Sequence, residues 1–550
     1  MAMYAVSVVP LIRECRNTAT NGCPAATQVW FAEDAASRGW LAALRLFWDI
    51  LVARGPAYGY FPKSCKTFLV VKGGCHDDAE RVFGDTGVQL TKDGQDLVHE
   101  AGQRHLGAAV GSAEFVGAYL DKKVASWAGQ VHRLSAIAAT EPHAAYAAFV
   151  FGMRHRWSFV QRVMPTAGDH MHPLRDTIRG SLIPALIKRE LSDVELEMLT
   201  LPARYGGMSF DDPVTDSHRK HAASLECTTH LAALIEQGQS VLPDVNPDHH
   251  AQAMVKRRHE AALKAAADSV QARLPEPQRR AMELAREKGG SSTLTTIPIA
   301  EHGFFLDVKS DFHDHINLRY CWPLDNLPST CPCGLRFTVD HAQVCKLSGF
   351  IHMRHNEPTT FLARCMKEVH HDVEVEPQLQ PLTGETFRHR SANTEPDARA
   401  DIRVRGFWTD SRNAYFDTRV FYPNTPSYRS KSLPSLYRRF EGDKKREYGE
   451  RVREIEHGSF TPLVFSSCGG MGSEAKVAIK KLAAALAAKR GEPYSGVMSW
   501  LRCCLSFILA RSALRCVRGS RSICRPVAWP CRLAWFVPRP AWPRFSLCLT

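Results

Sequence analysis

The chain has 550 residues, 44% of them hydrophobic, which is enough for packed cores and predicts about three or four folded domains rather than a disordered protein. Its formal net charge is +13, but residues 501–550 contain nine Arg and no Lys, Asp or Glu, which leaves +4 for the rest. The charge of the main body therefore does not by itself indicate a nucleic-acid-binding protein. The sequence opens without a secretory signal, so we expect a protein that is not secreted, with its 17 cysteines reduced or bound to metal.

The first 111 residues alternate short helices and strands. Residues 1–12 predict a helix, and residues 29–34, V-W-F-A-E-D, predict a strand that ends in the adjacent acids Glu33 and Asp34. A helix over 40–52 is followed by a turn and a strand at K-S-C-K-T, which contains Lys66. Two adjacent acids suit a metal site or a plain acidic turn, and the residues alone leave both open.

Residues 112–310 are predicted to be mostly helical. Large apolar residues recur at helical spacing between 112 and 163, within a predicted helical region over 112–236. Residues 237–310 are predicted to be a helical linker, because a loop is followed by a segment rich in Ala, Arg, Glu and Lys with a Pro break at 275–277. The basic residues of both regions could contact phosphates, but a solvated helix face has the same composition.

Four potential zinc ligands occur within residues 311–350. Cys331 and Cys333 are followed by His341 and Cys345, which gives C-x-C, seven residues and H-x-x-x-C. Three thiolates and one imidazole make a closed tetrahedral set, typical of structural zinc. The alternative is a group of reduced cysteines beside a surface histidine, although cysteine clusters in a protein without a secretory signal favour metal.

Two predicted strands that each carry an aspartate come next in the chain. The alternation A-D-I-R-V-R at 400–405 predicts a strand with Asp401 on its polar face. Residues 415–422 predict a second strand in which Asp417 and Arg419 share a face. If the strands are neighbours, two carboxylates converge and can hold Mg²⁺ or Mn²⁺ for attack of water on a phosphodiester. The alternative is that both aspartates only solvate the outer face of a hairpin.

The helix predicted over 436–457 carries Lys444 inside an apolar stripe, four residues from Phe440 and from Tyr448. Lysine is unusual in such a stripe. Its stem could run along apolar surface to solvent, or its ammonium group could be directed at a metal, a water or a phosphate.

The end of the chain is predicted to contain a strand over 461–465 and an Ala-rich helix over 474–489. Residues 493–522 predict an amphipathic helix whose apolar run is interrupted by arginines. It is too broken to span a membrane, so we expect it to dock on the preceding domain. Residues 523–550 show no periodicity and are expected to be poorly packed.

The ordered set of zinc loop, R-H-N-E, R-A-D-I, F-D-T-R-V-F and K-K-R-E-Y resembles the restriction-like endonuclease of site-specific non-LTR retrotransposons, a branch of the PD-(D/E)xK nucleases. The resemblance implies a nuclease core over 351–492. In that core two aspartates would hold the metal, a lysine would assist the water or stabilise charge, and a tyrosine would orient the lysine. The residues implied are Glu357 as a possible third carboxylate, Asp401, Asp417, Lys444 or Lys445, and Tyr448.

Two positions depart from this family. Ala400 stands where the family prefers Pro, and Arg419 stands where wider relatives have Lys. Arginine does not deprotonate in a protein, so Arg419 could stabilise a phosphate but could not act as a general base. The base would then be a metal-activated water or one of the two lysines.

The N-terminal motifs F-A-E-D, K-S-C-K-T and H-L-G resemble the second half of a reverse transcriptase palm. The resemblance implies that residues 1–111 begin inside the palm and that residues 112–236 contain the thumb. Glu33 stands where the family has Asp, and the earlier catalytic aspartate is absent, whereas a polymerase needs carboxylates from both strands. We therefore expect Glu33, Asp34 and Lys66 to be an inactive polymerase remnant.

The predicted fold class is α+β and multidomain: a partial palm and helical thumb, a helical linker, a small zinc-bound loop and an α/β restriction-like nuclease core. The resemblance implies a fragment of a retrotransposon polyprotein that nicks DNA, with structural Zn and catalytic Mg or Mn. Its partners would be DNA and element RNA, without a membrane, and its location would be nuclear. The alternative is a non-catalytic nucleic-acid-binding relic of a transposable element.

Overall fold

The computed structural model describes residues 2–16, 19, 23–31, 34–91, 102–237, 247–347 and 349–519. It is an α+β protein in which helices outweigh strands, which confirms the predicted class. Glu33 and residues 523–550, for which specific predictions were made, lie outside the described residues.

The strands are β1 (Thr27–Phe31), β2 (Asp34–Arg38), β3 (Phe68–Leu69), β4 (Gln89–Leu90), β5 (Gly102–His105), β6 (Ala108–Gly111), β7 (Val373–Val375), β8 (Ile402–Arg405), β9 (Asn413–Phe421) and β10 (Ser459–Ser466). The helices are α1 (Ala2–Ser7), α2 (Val9–Glu14), α3 (Leu41–Arg54), α4 (His76–Phe83), α5 (Ala113–Ala138), α6 (Pro142–Phe151), α7 (Ser158–Val163), α8 (Ala167–His170), α9 (His172–Thr177), α10 (Ile183–Ile187), α11 (Asp193–Thr200), α12 (Pro213–Glu236), α13 (Pro247–Arg273), α14 (Glu276–Ala285), α15 (Asp311–Arg319), α16 (Val339–Val344), α17 (Phe350–Val369), α18 (Pro426–Arg429), α19 (Leu433–Lys444), α20 (Glu450–Glu454), α21 (Ser473–Arg490) and α22 (Tyr494–Arg518).

The described residues form two compact units. One comprises those in Met1–Leu134, Gly152–Leu182 and Asp211–Ala265, and the other those in Ser135–Phe151, Ile183–Phe210 and from Ala266 onwards. Both units take residues from the region predicted as one helical domain over 112–236. The unit boundaries therefore follow packing and not the order of the motifs along the chain.

The first unit contains three two-stranded sheets. β1 and β2 form an antiparallel hairpin in which Phe31 pairs with Asp34. The strand predicted over 29–34 is therefore shorter, since Asp34 already begins the return strand. Near this hairpin, Leu11, Phe47 and Leu51 form a small apolar cluster against which Trp30 is partly buried.

The second unit contains a four-stranded sheet in the order β10-β9-β8-β7. β10 runs parallel to β9, and the other neighbours are antiparallel. Both faces of β9 are covered, and the period of two in a strand places Phe416 and Phe421 on opposite faces. Phe416 packs in the core beneath α17, α21 and α22, whereas Phe421 packs against α19.

Helix α22 belongs to this core. Leu501, Leu505 and Leu509 lie in the same cluster as Phe416 and are at most 1% exposed. The predicted C-terminal helix therefore packs on the preceding domain, as its apolar pattern indicated. Among the described residues, α22 is the one helix long and apolar enough to cross a membrane, but 78% of its apolar stretch is buried in the protein, as in a core helix.

Candidate active site and metal centre

The sheet brings Asp401 and Asp417 together. Asp401 immediately precedes β8, and Asp417 lies in the middle of β9. The antiparallel register pairs Ile402 with Phe416, so one further step places Asp401 opposite Asp417. The backbone N–H of Asp401 donates to Phe416 O at 3.1 Å, which holds the chain in this position. The convergence of two carboxylates predicted from the sequence is thus present.

Two hydrogen bonds fix the Asp401 carboxylate. The backbone N–H of Thr418 donates to its Oδ2 at 2.5 Å, and His355 Nε2 lies 3.1 Å from its Oδ1. Burial opposes protonation of His355, but the hydrogen bond to Asp401 and the negative charges of Asp401 and Asp417 together outweigh it and raise the pKa of this imidazole. His355 therefore acts as a donor that orients one of the two acids.

Lys444 provides the cation at Asp417. Asp417 is only 4% exposed, and its Oδ2 lies 2.9 Å from Lys444 Nζ, which is also 3.1 Å from Glu447 Oε2. Burial and the nearby Asp401 carboxylate raise the pKa of Asp417 to about 7. Burial alone would lower the pKa of Lys444, but the carboxylates of Asp417 and Glu447 raise it instead, so its ammonium group stays protonated. The position of Lys444 within the apolar stripe thus places its ammonium group at the buried Asp417.

A π-helical turn, Lys445–Gly449, follows directly and carries Tyr448. Such turns are frequent at functional sites. The Lys444 ammonium group lies 5.2 Å from the centre of the Tyr448 ring, and the Tyr448 hydroxyl accepts a hydrogen bond of 3.3 Å from Asn393 Nδ2. Tyr448 therefore contacts the lysine through its ring, a cation–π arrangement that restrains the ammonium group.

Lys445 does not reach this site. Its Nζ lies 2.6 Å from Glu474 Oε1, at the first turn of α21. The sequence left Lys444 and Lys445 as alternatives, because neighbouring residues of a helix point about 100° apart and periodicity did not fix which faced the sheet. The structure places Lys444 at the carboxylates.

Glu357 also lies elsewhere, which corrects its prediction as a third carboxylate. Its Oε2 accepts a hydrogen bond of 2.5 Å from Ser512 Oγ, and it forms an ion pair with Arg515, both on α22. Glu357 is two residues after His355 on α17, a rotation of about 200°, so the two side chains point to opposite sides of the helix.

Arg419 shares the Asp417 face of β9, as predicted, but its guanidinium group packs 4.2 Å from the centre of the Phe440 ring. It is half-buried, with the ring occupying one of its planar sides. Arg419 is therefore held beside the site rather than paired with either aspartate.

His355 and Glu447 are the site residues that the sequence did not assign. The sequence did contain a signal for His355. It lies seven residues before the buried Leu362, and residues seven apart lie on nearly the same face of a helix. Glu447 gave no comparable signal, since a carboxylate three residues after a lysine is usually a surface ion pair.

The four predicted zinc ligands converge. The ligand atoms of Cys331, Cys333, His341 and Cys345 all lie within 4.8 Å of one another, and this is the one group of three or more potential ligands in the described part of the chain. Cys331 Sγ and Cys345 Sγ are 3.8 Å apart, which is close to the edge of a tetrahedron with Zn–S bonds of about 2.3 Å. The group can hold a metal such as zinc.

Local structure explains this convergence. A tight turn bridges Thr330 to Arg336, with Gly334 at φ +85°, a conformation that favours glycine. Thr338 then caps α16 by accepting a hydrogen bond of 3.0 Å from His341 N. Burial opposes ionisation of Cys331, yet the backbone N–H of Cys333 and the neighbouring ligands lower its pKa to about 6, which favours the metal-binding thiolate.

Of the residues predicted as a polymerase remnant, Asp34 and Lys66 are described, and Glu33 lies outside the described residues. Asp34 and Lys66 are both exposed. In the portion of the chain that is described, Asp34 belongs to no group of three or more potential ligands.

No protein-family model matches this sequence, and no curated protein matches it significantly. The functional inference therefore rests on the geometry of the site and on the order of the motifs.

Proposed function

We propose that this protein is a metal-dependent endonuclease that nicks DNA, within a fragment of a retrotransposon polyprotein of the restriction-like type. The observation that carries the proposal is a buried acid, Asp417, that faces a second acid, Asp401, and is paired with Lys444. Burial of two nearby carboxylates costs free energy, and such arrangements are concentrated at functional sites. The order of these residues along the chain also matches the motif order of that nuclease family.

The donor set fits a divalent cation. Mg²⁺ and Mn²⁺ prefer oxygen ligands, and Mg²⁺ is commonly held by one or two carboxylates together with substrate phosphates. Asp401 and Asp417 would hold the ion, which when bound would supply electrostatic activation of water and stabilisation of the departing oxygen. The mutual repulsion that raises the pKa of Asp417 is relieved when a cation binds.

The chain's own residues then have distinct roles. His355 and the Thr418 N–H keep the Asp401 carboxylate in one orientation. Lys444, which stays protonated, stabilises the negative charge that develops on the phosphate and does not remove a proton. Tyr448 restrains the ammonium group of Lys444 through its ring.

The test is a nicking assay with the full chain, because α22 is part of the core of this unit. Supercoiled plasmid is incubated with Mg²⁺ or Mn²⁺ and either the wild type, the Asp401→Asn, Asp417→Asn double variant, or an Asp410→Asn control at an exposed acid. Nicking by the wild type and the control, but not by the double variant, supports the proposal. A folded wild type that binds DNA without nicking it overturns the endonuclease and leaves the non-catalytic, nucleic-acid-binding relic.

The proposal does not extend to polymerisation. Asp34 is exposed in a short hairpin of the first unit and lies outside any described cluster of acids. The Cys331 group is proposed to bind structural zinc, since all four of its donors come from the protein and leave no position for a substrate.

A further inference from the structure

The connection between β7 and β8 is anchored to the candidate active site. Residues 380–399 contain no helix or strand, yet several hydrogen bonds hold their backbone in place. Arg451 is fully buried and donates hydrogen bonds to the carbonyl oxygens of Gln380, Asn393 and Glu395 at 2.8 to 2.9 Å. A buried guanidinium group needs such partners, so the loop and this arginine fix one another.

Asn393 joins the loop to the π-helical turn that follows Lys444. Its backbone N–H donates to Glu447 O at 2.8 Å, and its side chain donates to the Tyr448 hydroxyl at 3.3 Å. Glu447 and Tyr448 are the residues that also contact Lys444 Nζ. The loop therefore contacts Glu447 and Tyr448, the same residues that position Lys444.

Three to five residues before Asn393, the loop presents the exposed residues Arg388, His389 and Arg390. We call these three residues the basic strap. The Ala392 N–H donates to His389 O at 3.0 Å, which closes a tight turn, and the Arg388 N–H donates to Glu450 Oε2 at 3.0 Å. The backbone of the strap is thus held from both sides.

The two guanidinium groups of the strap are available to a ligand. No ion pair is found for the Arg388 or Arg390 side chain within the described residues; the nearest acid before the strap, Glu385, accepts hydrogen bonds from Thr383, and Glu450 accepts one from the Arg388 backbone N–H. Exposed arginines fixed on an anchored backbone suit the oxygens of phosphate groups.

We propose that the basic strap binds phosphates of the DNA strand that flank the scissile phosphate. Arg390 is three residues from Asn393, so their Cα atoms are at most about 11 Å apart. Asn393 in turn contacts Tyr448, whose ring centre lies 5.2 Å from Lys444 Nζ, so the strap lies near enough to the site to contact phosphates of the same DNA strand a few nucleotides away. The inference rests on the proposed nuclease function, because it names DNA as the polyanion and defines its path across the site.

The test compares Arg388→Ala, Arg390→Ala with a control of equal charge loss, Lys480→Ala, Lys481→Ala, at exposed positions of α21. Both pairs are made in the full chain that also carries Asp417→Asn, so that binding is measured without cleavage. Binding of a fluorescent DNA duplex is followed by anisotropy over a range of salt concentrations. We expect the strap variant to bind about tenfold more weakly, with the slope of log affinity against log salt reduced by about 2, and the control to change neither quantity.

Two further measurements separate the outcomes. Arg388→Lys, Arg390→Lys keeps the charge and should keep most of the affinity, and in chains with intact Asp417 the alanine pair should raise KM and leave kcat within about twofold. If the strap variant is as stable to heat as the control and binds DNA with the same affinity and salt dependence, the proposal that the strap binds phosphates is wrong. If the wild type does not nick DNA but binding still depends on the two arginines, the strap stands as a nucleic-acid contact and the endonuclease fails.

Discussion

The Nζ of Lys444 lies 2.9 Å from Asp417 Oδ2, while the Nζ of the next residue, Lys445, lies 2.6 Å from Glu474. Adjacent lysines therefore have different partners, one inside the sheet-facing site and one at the start of α21. The two lysines have different partners because neighbouring side chains of a helix point about 100° apart.

Lys444→Met should abolish nicking, whereas Lys445→Met should not. Methionine keeps the length of the side chain but removes the charge between Asp417 and Glu447, and the loss of one such stabilising group typically costs about 10²–10³ in rate. The initial rates of plasmid nicking by the two variants measure the difference. Equal rates in two variants of equal thermal stability would remove Lys444 from the mechanism.

His355→Ala should weaken the response to the metal. The alanine leaves Asp401 with one of its two hydrogen bonds, and loss of a residue that orients a ligand typically costs about 10–100-fold in metal affinity or activity. Nicking rates measured against Mg²⁺ concentration should shift to higher concentrations. His355→Gln, whose amide can still donate to Asp401, should restore most of the response; a glutamine variant as poor as the alanine one would contradict the positioning role.

Glu357→Gln should reduce stability without reducing catalysis. The substitution breaks the ion pair with Arg515, but Arg515 keeps Asp307 as a second partner at 2.7 Å, so the loss should be small, about 0.2–1 kcal/mol. A lower denaturation midpoint with an unchanged nicking rate per folded molecule is expected. Loss of nicking at unchanged stability would restore Glu357 as a catalytic carboxylate.

Cys345→Ser should abolish binding of the structural metal. Three protein ligands would remain, and structural zinc sites contribute directly to folding. Metal analysis of purified protein should find one zinc per wild-type chain and far less in the variant, together with a lower melting temperature. Cys65→Ser, at an exposed cysteine outside the group, should leave both quantities unchanged. Zinc content that is insensitive to Cys345→Ser would rule out this site.

Glu287→Gln should alter the dependence of stability on pH. Burial raises the pKa of Glu287 to about 7, and the Tyr437 hydroxyl donates to it at 3.1 Å. The unfolded chain loses this proton near the ordinary value of 4.5, so the free energy of unfolding falls as the pH rises from 4.5 to about 7. Glutamine does not ionise, so the variant should match the wild type near pH 4, below the unfolded value of 4.5, and exceed it by about 3 kcal/mol at pH 8. Urea denaturation at both pH values measures this, and an equal difference at the two would contradict the buried-acid account.

Residue type and spacing along the chain indicated much of the local chemistry. The Cys/His group that could hold zinc could be predicted because a tight turn followed by one helical turn brings C-x-C and H-x-x-x-C together through local geometry. Asp401 and Asp417 could be predicted to converge because a strand has a period of two and the two strands are close in sequence.

The tertiary structure decided which of several equivalent residues enter the site. The rotation of α19 against the sheet determines whether Lys444 or Lys445 faces Asp417, and the rotation of α17 determines whether His355 or Glu357 faces Asp401. Glu357 faces α22, where it pairs with Arg515, a residue more than 150 positions away in the sequence. The sequence by itself therefore determined which donor groups are available and which of them converge locally, since donor types and local periodicity do not depend on distant contacts. The assignment of roles came only from packing, because helix rotation is set by burial against elements far along the chain.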